Sequence, residues 1–408
     1  MESETNKIEL NKIFEAFDVN GIFNNKSMLQ NTYQPEDIPH RSKQINQIAS
    51  ILAPVLRGER SSNLFLYGKT GTGKTLSIQY VKEELLKRIK KDADFKLKIE
   101  YLNCKLKKVS DTEYRILAEL IKKFGGEVPT TGLPTQAVYD KFIETIDSEK
   151  QLIVLILDEI DQTTKKISND FLYNLTRLNP ELSKSQICLV GISNNLTFLD
   201  ELDPRVKSSL SEEEIVFPPY NALQLQDILT KRAEDVFKAG VMEEGVIAKC
   251  AALAAREHGD ARRALDLLRI AGELAERDNS KKILIKYIDE ANEKIERDKI
   301  LDVIKSEPKQ FQLVLNSIIQ LSEKNPQHHL FTGEVYNFYR ELCIKHKLEI
   351  LTQRRVSDII QEFDMLGIIT VNVISKGRGG RMREIKLAIS RDIMEKAKEI
   401  VLDSLSYN

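Results

Sequence analysis

Eight residues constrain this chain more tightly than any others. "GKTGTGKT", Gly68 to Thr75, follows the apolar run NLFLY and precedes a stretch of helical periodicity near 75–90. Two glycines separated by four residues, then lysine and threonine, form a phosphate-binding loop pattern. Gly71 and Gly73 allow backbone conformations that aim several N–H groups at phosphate oxygens, and the following helix adds its positive end. Gly68, Lys69, Thr70, Gly71, Thr72, Gly73, Lys74 and Thr75 are therefore candidate phosphate contacts. The Lys74 ammonium is placed to reach β- and γ-phosphates, and the Thr75 hydroxyl is a candidate Mg²⁺ ligand. A loop of this kind needs a strand before it and a helix after it, which predicts an α/β fold.

The residues around the loop carry the same prediction. Strand-like apolar runs recur at KIEYLNC, QLIVLILD and SQICLVGISN, separated by helical stretches such as 112–124 and 168–178. Strands that are apolar on both faces suit a parallel sheet covered by helices on each side. The run LIVLILDEID ends in two carboxylates at the C-terminal edge, where open α/β sheets bind ligands. Asp158 is placed to hold Mg²⁺ directly or through water, and Glu159 to polarise a water against a γ-phosphate. Asp161 reads as a cap of the helix that follows. ICLVGISNN presents Asn194, with Asn195 as the competing choice, at the same edge for orienting that water. In HGDARRALDLL, Arg262 stands near a helix start, against the dipole. Asp260 could compensate it, or a bound phosphate could.

Composition bounds the rest. The chain has 408 residues, 41% hydrophobic and 30% charged, with a net charge of −1, so two or three globular domains are expected and any nucleic-acid contact must come from local patches. The pattern divides it into a nucleotide-binding base at 1–217, an all-helical segment at 218–298 entered through Pro218, Pro219 and Tyr220, and a third domain at 299–408. Four scattered cysteines read as buried apolar residues in a reducing compartment. The amino terminus, MESETNKIEL, has no apolar core of a secretory signal, and the longest apolar run, LIVLIL, is far short of a membrane span. The expectation is a cytoplasmic protein without a membrane partner.

The third domain shows helical periodicity at 309–323, 332–347 and 352–366, then two strand-like runs around SKGRGGR, then a final helix from about 391. Three helices and a hairpin give the order of a winged helix. In LTQRRVSDIIQEFDMLGII, Val356, Ile359, Ile360, Phe363 and Leu366 share one helical face, and Thr352 is a credible N-cap. Gln353, Arg354 and Arg355 fall in the first turn, the wrong end of the dipole for cations unless it docks into a DNA major groove. The stretch 374–387 holds Lys376, Arg378, Arg381, Arg383 and Lys386 against Glu384, a local charge of +4. Gly377, Gly379 and Gly380 would let this tip approach a duplex, while Arg378 and Arg381 meet phosphates or enter a minor groove. A solvated hairpin tip is the competing reading.

Taken together, YQPEDIPHRSKQINQI, LFLYGKTGTGKT, VPTTGLP, VLILDEID, LVGISNNL, DPRVKSSL, HGDARRALDLLRIAGELA, LTQRRVSDIIQEFDMLGII and SKGRGGR resemble one family over residues 33–390. It is the archaeal DNA replication initiators of the origin recognition complex subunit one / cell division control protein six family, which are AAA+ ATPases. The resemblance implies a RecA-like AAA+ base, a helical lid and a C-terminal winged helix, with ATP or ADP and Mg²⁺ between base and lid. Lys74 and Thr75 match the phosphate loop, Asp158 and Glu159 the second acidic motif, Asn194 the first sensor and Arg262 the second. Pro39, His40 and Arg41 match the adenine-side segment, and Tyr220 is grouped with the nucleotide contacts. An initiator-specific DNA-contacting insertion falls loosely around 124–135. Arg205 resembles the region of the arginine finger, although relatives often place an arginine nearer Ser209, which puts assistance from a neighbouring subunit in doubt. The implied function is origin binding on double-stranded DNA and recruitment of the replicative MCM helicase, at the nucleoid, alongside paralogous initiators, with ATP as a slowly hydrolysed switch. Two alternatives stay open: a winged-helix transcriptional regulator with structural nucleotide, and a ring-forming branch-migration motor.

Overall fold

The computed structural model describes residues 21–30, 33–89, 94–105, 112–129, 132–162, 167, 169–210, 212–324, 330–375 and 381–406. The chain divides into two compact units, Met1–Ile288 and Asp289–Asn408.

The first unit is built on five parallel strands: β1 (Asn63–Tyr67), β2 (Lys96–Asn103), β3 (Gln151–Asp158), β4 (Ser185–Ser193) and β5 (Glu212–Val216). Their order across the sheet is β2-β3-β4-β1-β5. Helices α1 (Ser42–Leu52), α2 (Lys74–Arg88), α3 (Glu113–Lys123), α4 (Thr135–Ile146), α5 (Asn169–Thr176) and α6 (Pro204–Leu210) accompany it. Side chains alternate across the strands, so β3 sends Ile153, Leu155 and Leu157 to one face and Leu152, Val154 and Ile156 to the other. The first face packs on Ile116 and Leu120 of α3, Val138 and Phe142 of α4, and Phe171 of α5. The second packs on Ile48 of α1 and on Ile78 and Val81 of α2. Every residue of β3 is buried, as a central parallel strand requires.

This strand order positions the site. Because β1 lies beside β4 and β4 beside β3, the loops leaving these three strands emerge side by side at one edge. The register pairs Tyr67 with Ser193 and Asp158 with Ile192. The phosphate loop after β1, the carboxylates ending β3 and the asparagines after β4 are thus brought together by topology alone.

Three more helices complete the unit: α7 (Ala222–Val236), α8 (Val246–Arg256) and α9 (Ala261–Arg277). Asn221 and Gln224 form a capping box at the start of α7, and the Asp260 carboxylate accepts from the N–H groups of Arg262 and Arg263 at the start of α9. A segment from the beginning of the chain closes over these helices. The N–H of Ile22 donates to buried Glu276 at 2.8 Å, that of Asn24 donates to the Val236 carbonyl at 2.7 Å, and Lys26 pairs with Glu273 at 3.0 Å. The Phe23 and Phe237 rings lie 4.8 Å apart. Residues 22–29 thus strap the helical segment from outside.

The helix α10 (Ile285–Ser306) has its first turn in the first unit and the rest in the second, which continues with α11 (Lys309–Lys324), β6 (Leu330–Phe331), α12 (Thr332–Lys345), α13 (Gln353–Met365), β7 (Ile369–Ser375), β8 (Arg381–Leu387) and α14 (Arg391–Ser406). The strands form an antiparallel sheet ordered β6-β8-β7. Val356, Ile359, Ile360 and Phe363 of α13 pack with Phe311, Leu315 and Ile318 of α11 and Tyr339 of α12 in one core. Three helices and a β-hairpin around a common core make a winged helix. All four cysteines are free and buried. Among the described residues, no helix is long and apolar enough to cross a membrane.

Candidate functional site

The edge where β1, β3 and β4 end opens into a cavity of about 940 Å³. Thr70 to Thr75, Tyr101, Asp158, Glu159, Asn194 and Tyr220 line it from the sheet side, Ile228, Lys231, Arg232, Arg262 and Leu265 from the helical segment, and Asn25, Tyr33, Ile38 and Pro39 from the start of the chain.

The phosphate loop is shaped by what surrounds it. Gly73, at the N-cap of α2, has φ +90°, and a Cβ there would lie 2.9 Å from the Tyr220 hydroxyl. Gly71 has φ +70°, and a Cβ would lie 1.7 Å from the Asp260 carboxylate. Both are positions only glycine occupies without strain. Ala261 N–H donates to the Gly71 carbonyl at 3.3 Å, so the start of α9 sits directly against the loop. Lys74 donates to the carbonyls of Gly68 (2.7 Å) and Lys69 (2.9 Å) and to Asn194 Oδ1 (2.9 Å). Burial lowers its pKa to about 8; Asp158 pulls it up, and nearby Arg262 pushes it further down. An ammonium so placed gains from a phosphate oxygen.

Asp158 accepts at both carboxylate oxygens. Its Oδ2 takes the hydroxyls of Thr75 (2.9 Å) and Tyr101 (2.7 Å), and its Oδ1 takes the Glu159 N–H (2.9 Å). Burial first, then the Asp158 charge, pushes the Tyr101 pKa far up, so the phenol stays a donor. Thr75 and Asp158 provide two hard oxygen groups, which fits a Mg²⁺ whose remaining positions go to phosphate and water. Glu159 adopts φ +56°, uncommon for a residue with a side chain, and its carboxylate lies 3.4 Å from Lys105 Nζ.

The remaining sequence candidates divide between the cavity and places outside it. Asn194, not Asn195, faces the loop; Asn195 donates to Glu201 at 2.8 Å and accepts from Thr197. Asp161 accepts the Ser193 hydroxyl at 3.1 Å and so ties the end of β3 to β4. Arg41 is buried beneath the loop, not in the cavity: its Nε donates to the Thr72 carbonyl (2.7 Å), an NH2 donates to Pro218 (2.6 Å), and the guanidinium lies 3.7 Å from the Tyr220 ring centroid. His40 pairs with Asp227 at 3.1 Å while Pro39 lines the cavity. Arg205 is exposed and forked onto Asp203 at 3.1 and 2.9 Å, outside the cavity. Arg262 is exposed and lines it. Tyr101, Arg232 and Tyr33 were not anticipated from sequence. Arg232 stacks on Tyr33 at 4.5 Å and donates to the Met28 carbonyl at 2.9 Å.

In the winged helix, Thr352 caps α13 by accepting from the Arg355 N–H at 3.3 Å. Gln353, Arg354 and Arg355 are exposed in the first turn, with Arg355 3.6 Å from Glu362. Arg383 is exposed on β8, and Lys386 pairs with Glu384 at 3.5 Å. Lys376, Arg378 and Gly379, with the side chain of Arg381, lie outside the described residues. The loosely placed insertion at 124–135 is a loop where 124–134 is described, with Thr135 opening α4 and Tyr114 donating to the Pro129 carbonyl at 2.6 Å.

Family models match three consecutive segments: an AAA domain at 57–198, a Cdc6 AAA+ ATPase-type lid domain at 226–293 and a CDC6 C-terminal winged helix domain at 302–397. The ORC1-type DNA replication protein of Pyrococcus abyssi is 51% identical over 393 residues, 95% of this chain and 93% of that protein. ORC1-type DNA replication protein 1 of Methanosarcina mazei is 49% identical over 396 residues, 97% of this chain and 94% of that protein. Among solved structures, the Aeropyrum pernix ORC1 protein in complex with DNA matches with TM-score 0.80 and 43% identity over 94% of this chain and 98% of that one. With its AAA domain, Cdc6-type lid and Cdc6-type winged helix in that order, the chain belongs to the family of ORC1-type DNA replication proteins.

Proposed function

We propose that this chain is an ATP-dependent DNA replication initiator that binds double-stranded origin DNA through its winged helix and AAA+ domain and helps recruit or load the replicative MCM helicase, with ATP as a slowly hydrolysed switch. The observation that carries it is the convergence of Lys74, Thr75, Asp158, Glu159, Asn194 and Arg262 on one cavity between the sheet and the lid. Lys74 and the N–H groups of the loop bind the β- and γ-phosphates, and Arg262 reaches the phosphates from the lid. Thr75 and Asp158 would hold Mg²⁺, which neutralises phosphate charge when bound. Glu159 polarises the attacking water, and Asn194 orients it. Because lid residues touch the phosphates, ATP and ADP stabilise different lid arrangements to the extent that their affinities for the two differ. Slow turnover is supported by Ser209, which stands where the family resemblance leads one to expect an arginine.

The DNA half of the reading rests on the exposed arginines in the first turn of α13, and on the Aeropyrum pernix ORC1 protein having been solved with DNA. Glu159→Gln should slow ATP turnover by about 10²-fold or more while nucleotide and DNA binding stay within twofold, measured by single-turnover hydrolysis and filter binding. Retained turnover removes Glu159 from its role. Incubating the protein with fragmented genomic DNA and ATP, then sequencing what is held, tests the rest. A few origin-proximal sites support an initiator; enrichment across promoters makes the chain a transcriptional regulator instead.

A further inference from the structure

The five residues before Gln353 are held from two other helices. Gln310, on α11, donates from Nε2 to the Glu349 carbonyl at 2.7 Å. Tyr339, on α12, accepts the Leu351 N–H at 3.2 Å and donates its hydroxyl to Gln310 Oε1 at 2.5 Å. Tyr336, one turn earlier, donates to the Leu351 carbonyl at 3.3 Å. Both polar groups of Leu351 are therefore fixed by tyrosines, and the next residue, Thr352, caps α13. The chain enters this segment through Lys347 at φ +54°, with the Leu348 N–H returned to the Cys343 carbonyl at 2.9 Å.

The Gln310 amide accepts at its oxygen from Tyr339, with Cys343 Sγ also donating there at 4.0 Å, and donates from its nitrogen to Glu349, so its orientation is set by its partners. The Tyr339 ring is fully buried, and burial pushes its hydroxyl pKa far up, which keeps the proton that Gln310 accepts. Apolar packing already joins α11, α12 and α13 through Phe311, Tyr339 and Phe363. What the polar relay adds is a fixed distance between those helices and the backbone from which the first turn of α13 departs.

We propose that Tyr339, acting through Gln310, is a positioning residue for sequence reading: it sets where Gln353, Arg354 and Arg355 meet base edges, while contacts to phosphates do not depend on it. The proposal rests on the reading of α13 as the helix that enters DNA. Base-edge hydrogen bonds demand placement within about 0.5 Å. Phosphate contacts made by long, flexible arginine and lysine side chains tolerate a looser loop, and they carry no sequence information. Loosening the relay therefore lowers specificity before it lowers affinity for DNA in general.

Tyr339→Phe keeps the buried ring and deletes the one hydroxyl. In the full-length protein, affinity is measured at one salt concentration for the genomic fragment held most strongly and for a scrambled duplex of equal length, with the salt slope of each. The expected result is a loss of about 5- to 30-fold on the fragment, with scrambled affinity and its salt slope within twofold of the parent, in the range of losing one good base contact. Gln310→Met, which removes both amide bonds at similar volume, should show a loss of the same kind, and it carries the test alone if Tyr339→Phe does not fold. Equal losses on both duplexes, or none on either, overturn the proposal. Arg355→Ala beside them separates the two claims. If it leaves both affinities unchanged, the reading of α13 falls and the proposal with it; if only Arg355→Ala loses the fragment, the proposal falls alone.

Discussion

Lys74 has its charge opposed by burial and by Arg262, and its pKa is held at about 8 against 10.5 in an unfolded chain. A cation with a depressed pKa binds fewer protons folded than unfolded, so this group adds stability to the free protein as pH rises from about 8 toward 10.5. Phosphate reverses the balance by favouring the ammonium. Nucleotide binding should therefore take up a proton above pH 8, and affinity should fall by up to about tenfold per pH unit from there. Calorimetric titration in two buffers of different ionisation enthalpy measures that proton directly. Tyr101 offers a second residue-level test, because its hydroxyl shares Asp158 Oδ2 with Thr75. Losing one such bond costs about 1 kcal/mol. Tyr101→Phe should raise the Mg²⁺ concentration for half-maximal tightening of nucleotide binding by about 3- to 10-fold and leave affinity in EDTA unchanged.

At the scale of elements, the amino-terminal strap makes the sharpest prediction. It buries Ile22 and Leu29 completely and lends Asn25 and Met28 to the cavity wall. Fully burying such an aliphatic side chain stabilises by about 2 kcal/mol. Removing residues 1–30 should cost about 4 kcal/mol in the first unit, read by denaturant unfolding, and should weaken nucleotide binding as well. No local signal in the sequence announces the strap, since its partners lie on α7 and α9. The helices and the phosphate loop were legible because their signals are local: period, capping residues and glycine spacing lie within one or two turns. Thus 309–323 was expected to be helical and α11 spans Lys309–Lys324. The strand β5 was not among the strands expected, since EEEIV has only two apolar residues after three acids; pairing with β1 makes it an edge strand. Tyr101 was missed because its partner ends the adjacent strand, a relation set by register and not by spacing. For Arg41 the motif located the segment, but not which side of the loop its guanidinium takes.

At the scale of the whole molecule, two units with separate cores need not unfold together. Scanning calorimetry should resolve two transitions. ADP with Mg²⁺ at one hundred times its Kd should stabilise the one belonging to residues 1–288 by about 2.7 kcal/mol, and duplex DNA should raise the other. A single transition shifted equally by both ligands would show the units to be coupled. The strap also governs how the molecule is made. Ile22 leaves the ribosome well before its partner Glu276, which follows 254 residues later. At about 5–20 residues per second, translation takes roughly 13–50 s to cover that gap. Through that interval the sheet can close while the strap waits for the helices it braces, so the nascent chain carries Ile22 and Leu29 uncovered until α9 has been synthesised.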